Sequence, residues 1–273
     1  MRTFPIYVVD AFADRPFGGN PAGVVLLDVA MTDSERQSIA TEMCHSETAF
    51  VSRRSDDGFD LRWFTPSVEV PLCGHGTLAT AHVLFSTDQV DGAVATFHTL
   101  SGVLTVTRRG DELALDLPLN VPEPALPPPG LLDALGLHAR QVRDVERGKE
   151  FVIECADRAT IVSVAPNFRA LQQVEWPSGC GGVIVTCAGE SPYDFTSRYF
   201  GPWIGIDEDP ATGAAHAVLA AYWGKRLGKA SMLAFQASKR GGIMRVEPDF
   251  TSGRVLLIGK AFIVLSGQFQ LGA

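Results

Sequence analysis

The sequence lacks the features of several large functional classes. Its 273 residues carry a net charge of −8, and no basic stripe is present to release counterions from a phosphate backbone. No apolar run reaches the roughly 18 residues that a membrane-spanning helix requires. The glycine-rich nucleotide loops GxGxxG and GxxxxGK[ST] are also missing. We therefore expect a protein that binds neither nucleic acid nor a membrane.

Cysteine is scarce and irregularly spaced. The five cysteines, at positions 44, 73, 155, 180 and 187, form an odd set without CxxC spacing, which favours reduced thiols over a disulfide framework or a structural zinc site. His45 and Glu47 are close in sequence, but no HExxH motif accompanies them, so we predict no metal site. The first residues enter a strand pattern without a basic and apolar leader, which predicts a cytoplasmic protein.

Length and composition favour two domains, each with a core of its own. Hydrophobic residues make up 46% of the chain and charged residues 20%, which suits globular domains of ordinary size. Six of the 17 prolines lie between Pro118 and Pro129, and a stretch of this kind is stiff and poor in backbone donors. We predict an N-terminal half over 1–118, a linker over 119–130 and a C-terminal half over 131–273. The last strands are free to pack back on the first half.

Two stretches of the chain resemble each other. Phe64 and Pro66 match Phe200 and Pro202, and after a slip of one residue Gly76 matches Gly213. Each stretch leads directly into an apolar helix of small residues. An internal repeat of this kind predicts two similar halves, each offering a helix N-terminus to a shared cleft.

Local patterns predict further elements. Thr32 with Glu35 forms a capping box for a helix over about residues 33–44. The β-branched run Thr160–Ala165 predicts a strand.

Glu47 stands at the junction between that first helix and an apolar strand. Apolar neighbours would desolvate its carboxyl group and raise its pKa, as a general acid or base working near neutral pH requires. A solvated loop residue is the alternative at this position. His75, beside a buried helix N-terminus, suits either an anion-binding site or ordinary packing. Asp209 suits either a functional carboxylate or a helix cap.

Several motifs together resemble the PhzF (phenazine biosynthesis-like) family. They are Val9-Asp10-Ala11-Phe12, Pro16-Phe17-Gly18-Gly19-Asn20-Pro21-Ala22, Ser46-Glu47-Thr48, Phe64-Thr65-Pro66, Cys73-Gly74-His75 and Glu208-Asp209-Pro210-Ala211-Thr212-Gly213. The resemblance implies an α+β fold like that of diaminopimelate epimerase, with two pseudo-repeated halves. Each half is then a curled, mostly antiparallel sheet around a central helix. A cofactor-free, metal-free enzyme that forms a homodimer is also implied.

The resemblance carries roles to particular residues. The family's acid/base carboxylate corresponds to Glu47, its histidine to His75 and its aspartate to Asp209. We expect the substrate to be bound by Asn20, Ser46, Cys73, Gly74, Gly76, Thr212, Gly213 and Ala214. A serine often follows the last glycine of the family motif, whereas this chain has alanine at position 214 and lacks that hydroxyl.

The expected activity is an isomerisation in which a proton moves between carbon atoms of a small carboxylic acid. The aromatic residues Trp63, Phe64, Phe200 and Trp203 suggest a cyclic or planar substrate, although they equally suit a core. One alternative is an amino-acid racemase that uses Cys73. The repeat places Pro210 opposite Cys73, so a second thiol is missing. The other alternative is a protein of the same fold that binds small molecules without catalysis.

Overall fold

The chain forms two compact units in this computed structural model, which describes residues 1–272. The first unit comprises Met1–Asp116 and the segment that begins at Ile258, and the second comprises Leu117–Leu257. The predicted linker lies inside the second unit. Its residues Glu123–Pro124 form a short strand, because an edge strand tolerates a proline that cannot donate a hydrogen bond.

The elements of the first unit alternate between strands and helices. Its strands are β1 (Arg2–Ala13), β2 (Asn20–Leu27), β3 (Thr48–Arg53), β4 (Phe59–Phe64), β5 (Glu69–Val70), β6 (Val94–Thr99), β7 (Gly102–Arg109) and β8 (Glu112–Pro118). Its helices are α1 (Asp33–Met43) and α2 (Gly74–Ser86). β2 runs antiparallel to β1 and parallel to β3, and β4 runs antiparallel to β3 and parallel to β6. A meander of β6, β7 and β8 follows.

The second unit has more and shorter helices. Its strands are β9 (Glu123–Pro124), β10 (Val142–Arg147), β11 (Phe151–Cys155), β12 (Val183–Ala188), β13 (Phe195–Gly201), β14 (Ile206–Asp209), β15 (Met232–Gln236), β16 (Gly242–Asp249) and β17 (Arg254–Leu271). Its helices are α3 (Leu131–Leu135), α4 (Arg158–Ser163), α5 (Phe168–Leu171) and α6 (Gly213–Leu227), with 3₁₀ turns at Ala139–Gln141 and Pro202–Ile204. β17 begins here and continues in the first unit, where it pairs with β1.

The two units repeat one pattern of strand pairing. β10 to β13 pair as β1 to β4 do, and β13 pairs with β14 and β15 as β4 pairs with β5 and β6. The register also repeats, because Thr48 faces Phe64 in one unit and Val183 faces Phe200 in the other. Phe64 and Phe200 are therefore equivalent positions. This confirms the predicted α+β fold with two pseudo-repeated halves.

A buried helix lies at the centre of each unit. α2 packs on β1, β2, β3 and β7, and ten of its thirteen residues are buried. α6 packs on β16 and has eleven buried residues. Small side chains let both helices approach the strands, and burial of apolar area on all sides stabilises them despite the cost of ordering the chain.

Side-chain caps explain why one predicted element is present and why another is wrong. Thr32 and Glu35 form the predicted capping box, and α1 begins at Asp33. The predicted strand over Thr160–Ala165 is wrong, because this part of the chain belongs to α4. Asp157 accepts a hydrogen bond from the Thr160 backbone and caps that helix, which outweighs the strand preference of the β-branched residues. No helix among residues 1–272 has both the length and the apolar character needed to cross a membrane.

Candidate functional site

Glu47 lies immediately before β3, and its backbone carbonyl accepts a hydrogen bond from the Gly23 amide at 3.2 Å. This contact holds the entry of β3 beside β2 and turns the carboxyl group into the unit. The side chain is only 12% exposed. Burial raises the pKa of Glu47 above its usual value of 4.5, while hydrogen bonds from Ser46 and Cys73 act in the opposite direction. The predicted desolvation of this carboxyl group is confirmed.

His75 is buried in the first turn of α2, where four side chains surround its imidazole ring. Asn20 Nδ2 lies 3.2 Å from Nδ1, while Ser46 Oγ and Glu47 Oε2 each lie 3.3 Å from Nε2. Cys73 Sγ lies 3.6 Å from Nδ1. The starts of β2 and α2 and the segment before β3 thus bring together five of the predicted site residues.

Buried polar atoms without hydrogen-bond partners occur beside this cluster. Among the described residues, Glu47 Oε2 and the indole Nε1 of Trp63 are two such atoms. The approach of Glu47 Oε2 to the imidazole is therefore a close contact rather than a well-aligned hydrogen bond. Atoms of this kind are costly in a core, and a catalytic role is one explanation for them.

The N-terminus of α2 is capped by a thiol. Cys73 Sγ accepts a hydrogen bond from the Gly76 amide at 3.3 Å. A side chain of the protein therefore satisfies this N–H group, and no bound anion is needed for it. Only glycine fits at position 76, because a Cβ atom there would lie 2.9 Å from Cys73 Sγ and 3.0 Å from Trp63 Cδ1. Gly74 is the first residue of the helix.

Asp209 belongs to the second unit, at the end of β14, and is buried. Its Oδ2 accepts a hydrogen bond from Thr212 Oγ1 at 2.6 Å. Gln236 joins the two residues, since its amide donates to the Asp209 carbonyl at 2.6 Å and accepts from the Thr212 backbone at 2.9 Å. Asp209 is therefore held in a fixed position by side chains of its own unit.

Thr212 is the N-cap residue of α6, but its hydroxyl group makes no capping bond to that helix. It is directed to Asp209 instead. Gly213 and Ala214 follow in the first turn, as the sequence predicts. The structure thus places the second group of predicted residues at one helix N-terminus.

The two central helices begin after residues of different type. Cys73 precedes α2 and caps it through its side chain, whereas Thr212 precedes α6 without a side-chain cap. The pairing of Cys73 with Pro210 stays a prediction. Neither Pro210 nor Thr212 carries a thiol, so the argument against a racemase with two cysteines stands.

Glu150 and Tyr199 form a buried pair that sequence reasoning missed. Glu150 Oε2 accepts hydrogen bonds from the Gly182 amide and, at 3.2 Å, from the Tyr199 hydroxyl group. Burial raises the pKa of Glu150 to about 7. Gly182 precedes β12 as Glu47 precedes β3, and its carbonyl accepts from Phe151 in the same way. The carboxyl group of Glu150, the residue before β11, therefore lies near the counterpart of Glu47.

Among the described residues of the first unit, one group of side chains could hold a metal ion. Ligand atoms of Glu47, Cys73 and His75 all lie within 4.8 Å of one another. Oxygen, sulfur and nitrogen donors together suit zinc better than magnesium or calcium.

Comparison with known proteins identifies the family. The sequence model of the phenazine biosynthesis-like proteins (PhzC-PhzF) matches residues 9–267. The chain belongs to this family. A Pseudomonas aeruginosa protein named "uncharacterized isomerase" is 47% identical over 97% of this chain and 98% of its own. The human phenazine biosynthesis-like domain-containing protein is 41% identical, with coverages of 96% and 98%.

Solved structures agree with this assignment. A PhzF family protein from Enterococcus faecalis superposes with a TM-score of 0.92 at 39% identity, covering 99% of this chain and 100% of that protein. A probable proline racemase from Agrobacterium radiobacter superposes with a TM-score of 0.65 at 11% identity, over 98% and 93% of the two chains. That second likeness shows a shared fold only. The PhzF-like isomerase family is therefore established for this chain, whereas the roles of individual residues stay predictions.

Proposed function

We propose that this protein is an isomerase in which Glu47 moves a proton between carbon atoms of a small carboxylic acid, without a metal or a cofactor. The observation that carries the proposal is the burial of the Glu47 carboxyl group beside His75, with an oxygen atom that lacks a hydrogen-bond partner. Membership of the PhzF family supports the same reaction class.

The environment of Glu47 suits both directions of proton transfer. Burial disfavours the charged carboxylate, so the group keeps its proton to a higher pH than an exposed glutamate does. A carboxyl group with a pKa nearer to neutrality is a better general acid, and after losing its proton it is a better general base. One side chain could then remove a proton from one carbon atom and return it to another.

His75 would stabilise the ionised form of Glu47. An Asn20 amide that donates to Nδ1 would place the imidazole proton on Nε2, which faces Glu47 Oε2 and Ser46 Oγ. An N–H group at that place can donate to the carboxylate once the proton has moved to the substrate. Asn20 and Ser46 then fix the orientation of the ring.

The remaining roles stay proposals on the family resemblance. Asp209 would stabilise or relay charge, and Thr212, Gly213 and Ala214 would bind the substrate carboxylate at the N-terminus of α6. Support comes from the lack of a side-chain cap on that helix, since free backbone N–H groups and the helix dipole favour an anion.

In the first unit, Gly74 and Gly76 would bind substrate through their backbone and Cys73 would contact it. A homodimer, a cytoplasmic location and a cyclic or planar substrate are further proposals.

Hydrogen exchange at carbon tests the reaction. The protein would be incubated in D₂O with a panel of small unsaturated and cyclic carboxylic acids and with metabolite extracts, and deuterium incorporation followed by mass spectrometry. We expect at least one acid to gain deuterium and shift its double bond. Glu47→Gln should abolish the exchange, because an amide cannot carry the proton, whereas the surface variant Glu42→Gln should match the wild type.

Two results would contradict the proposal. Exchange that persists at a normal rate in Glu47→Gln would remove Glu47 from the chemistry. Acids that bind tightly and never exchange would favour the binding protein without catalysis. Incubation with free amino acids, followed by chiral analysis, separates the racemase alternative from both.

A further inference from the structure

We propose that Glu47, Cys73 and His75 form a binding site for one soft divalent cation of the zinc and cadmium class. This inference deepens the proposed function by naming a regulator of the same site, because a cation bound there would occupy the carboxylate that carries the proton. It rests on the proposed function for that consequence alone. The binding itself follows from the geometry of the cluster.

Two distances between donor atoms are close to those around a tetrahedral zinc ion. Zinc lies about 2.0–2.2 Å from nitrogen and oxygen ligands and about 2.3 Å from sulfur, so neighbouring ligands are about 3.4 Å apart for N and O and about 3.6 Å apart for N and S. In the structure, His75 Nε2 lies 3.3 Å from Glu47 Oε2 and 3.9 Å from Cys73 Sγ. The donor atoms of Glu47 and Cys73 lie within 4.8 Å of each other, so the side chains of the group would move closer together around an ion.

Neighbouring groups already support each donor as they do in zinc sites. The Gly76 amide donates to Cys73 Sγ at 3.3 Å from the N-terminus of α2, and both the hydrogen bond and the helix dipole stabilise a thiolate. Asn20 lies 3.2 Å from Nδ1 of His75. A half-turn of its amide would present Oδ1 to an Nδ1 proton and leave Nε2 free for the metal, which is the usual arrangement behind a histidine ligand.

The carboxylate offers an unused ligand atom. Glu47 Oε2 is buried and has no hydrogen-bond partner, so a cation would supply the interaction that the protein does not. Three protein ligands leave the fourth tetrahedral position for water or for a substrate oxygen. The thiolate and imidazole donors favour zinc and cadmium over the hard cations magnesium and calcium.

Cadmium titration tests this site without a substrate. A bond between cadmium and a thiolate gives an ultraviolet charge-transfer band, which reports on the cysteine directly. The exposed Cys44 would first be replaced by serine so that it does not contribute. In the Cys44→Ser protein we expect one equivalent of Cd²⁺ to develop the band fully, and Mg²⁺ at the same concentration to leave it unchanged.

Variants of the site then locate the ion. Adding Cys73→Ala to the Cys44→Ser protein should abolish the band. Adding Asn20→Ala, which removes the support of His75 and none of the three ligands, should weaken Cd²⁺ affinity about 10- to 100-fold. Circular dichroism and thermal melting would show that each variant is folded, and Glu47→Gln offers a more conservative change if Cys73→Ala does not fold.

A band of unchanged strength in the Cys73→Ala variant, or unchanged affinity in Glu47→Gln, would overturn the proposal. Absence of any band in the Cys44→Ser protein would do the same. None of these results bears on the isomerase, because deuterium exchange is measured separately in the presence of a chelator.

Discussion

Replacing Glu150 with glutamine is expected to stabilise the folded protein in alkaline solution and to have little effect in acid. The carboxyl group of Glu150 is 5% exposed and lies between the Gly182 amide and the Tyr199 hydroxyl group. Burial raises its pKa from 4.5 to about 7. Glutamine has nearly the same shape, keeps an oxygen acceptor for these donors and carries no charge.

The sign of the effect follows from proton linkage. Because the folded state holds the Glu150 proton more tightly than the unfolded state, folding is favoured most below pH 4.5, and this contribution is lost as pH rises through about 7. The difference between the pKa of 4.5 in the unfolded state and about 7 in the folded state corresponds to about 3 kcal/mol, at about 1.4 kcal/mol per pKa unit. Glu150→Gln should therefore exceed the wild type in free energy of unfolding at pH 8 by a value approaching about 3 kcal/mol.

Urea denaturation of the wild type and Glu150→Gln at pH 4 and pH 8 measures this difference. The exposed residue Glu42 supplies the matched control, and the free energy of unfolding of Glu42→Gln should equal that of the wild type at both pH values. At pH 4 the Glu150 variant should differ from the wild type by no more than about 1 kcal/mol, the scale of one altered hydrogen bond. Equal destabilisation at both pH values would show that the effect of the substitution does not depend on the charge of Glu150, and the reasoning would be refuted.

Two further substitutions test how each unit holds its site residues. Thr212→Val should cost about 1–3 kcal/mol in urea denaturation, because it leaves the buried Asp209 carboxyl without its 2.6 Å donor, while Thr212→Ser should keep most of the stability. An equal loss in the serine and valine variants would contradict this reasoning, because serine keeps the hydroxyl group and valine does not. Gly76→Ala should cost about 1–3 kcal/mol through the clash of its Cβ with Cys73 and Trp63, and a change below about 0.5 kcal/mol in the same assay would contradict the packing described at α2.

Features set by neighbouring residues were predictable from the sequence. The capping box of Thr32 and Glu35 depends on contacts three residues apart, and the two central helices follow from long runs of small and apolar residues. The equivalence of Phe64 and Phe200 was visible because both precede such a helix. The fold class could therefore be predicted from local signals together with the family resemblance.

Features set by contacts between distant strands could not be predicted. The hydrogen bond between Glu150 and Tyr199 forms only when β11, β12 and β13 lie side by side. No local sequence pattern predicts a contact between residues 49 positions apart. The Thr160 region shows a related limit, since one capping aspartate outweighs strand propensity.

The candidate site was predictable only in part from physical reasoning. Sequence patterns indicated a desolvated Glu47, but the meeting of Asn20, Ser46, Cys73 and His75 around it was implied by the family resemblance. Those residues come from three separate segments, which the β2–β3 pairing and the start of α2 bring together. Their spacing along the chain carries no sign of that contact.

The most direct test of the central claim is the titration of the Glu47 carboxyl group, followed by ¹³C NMR with labelled glutamate. Spectra of Glu47→Gln and Glu150→Gln assign the two buried carboxyl groups by the loss of one resonance each. Because burial is the largest influence on Glu47, the account predicts that its resonance titrates above pH 4.5 in the folded protein. A midpoint at or below 4.5 would show a solvated, ordinary glutamate and would contradict the assignment of Glu47 as the acid/base group.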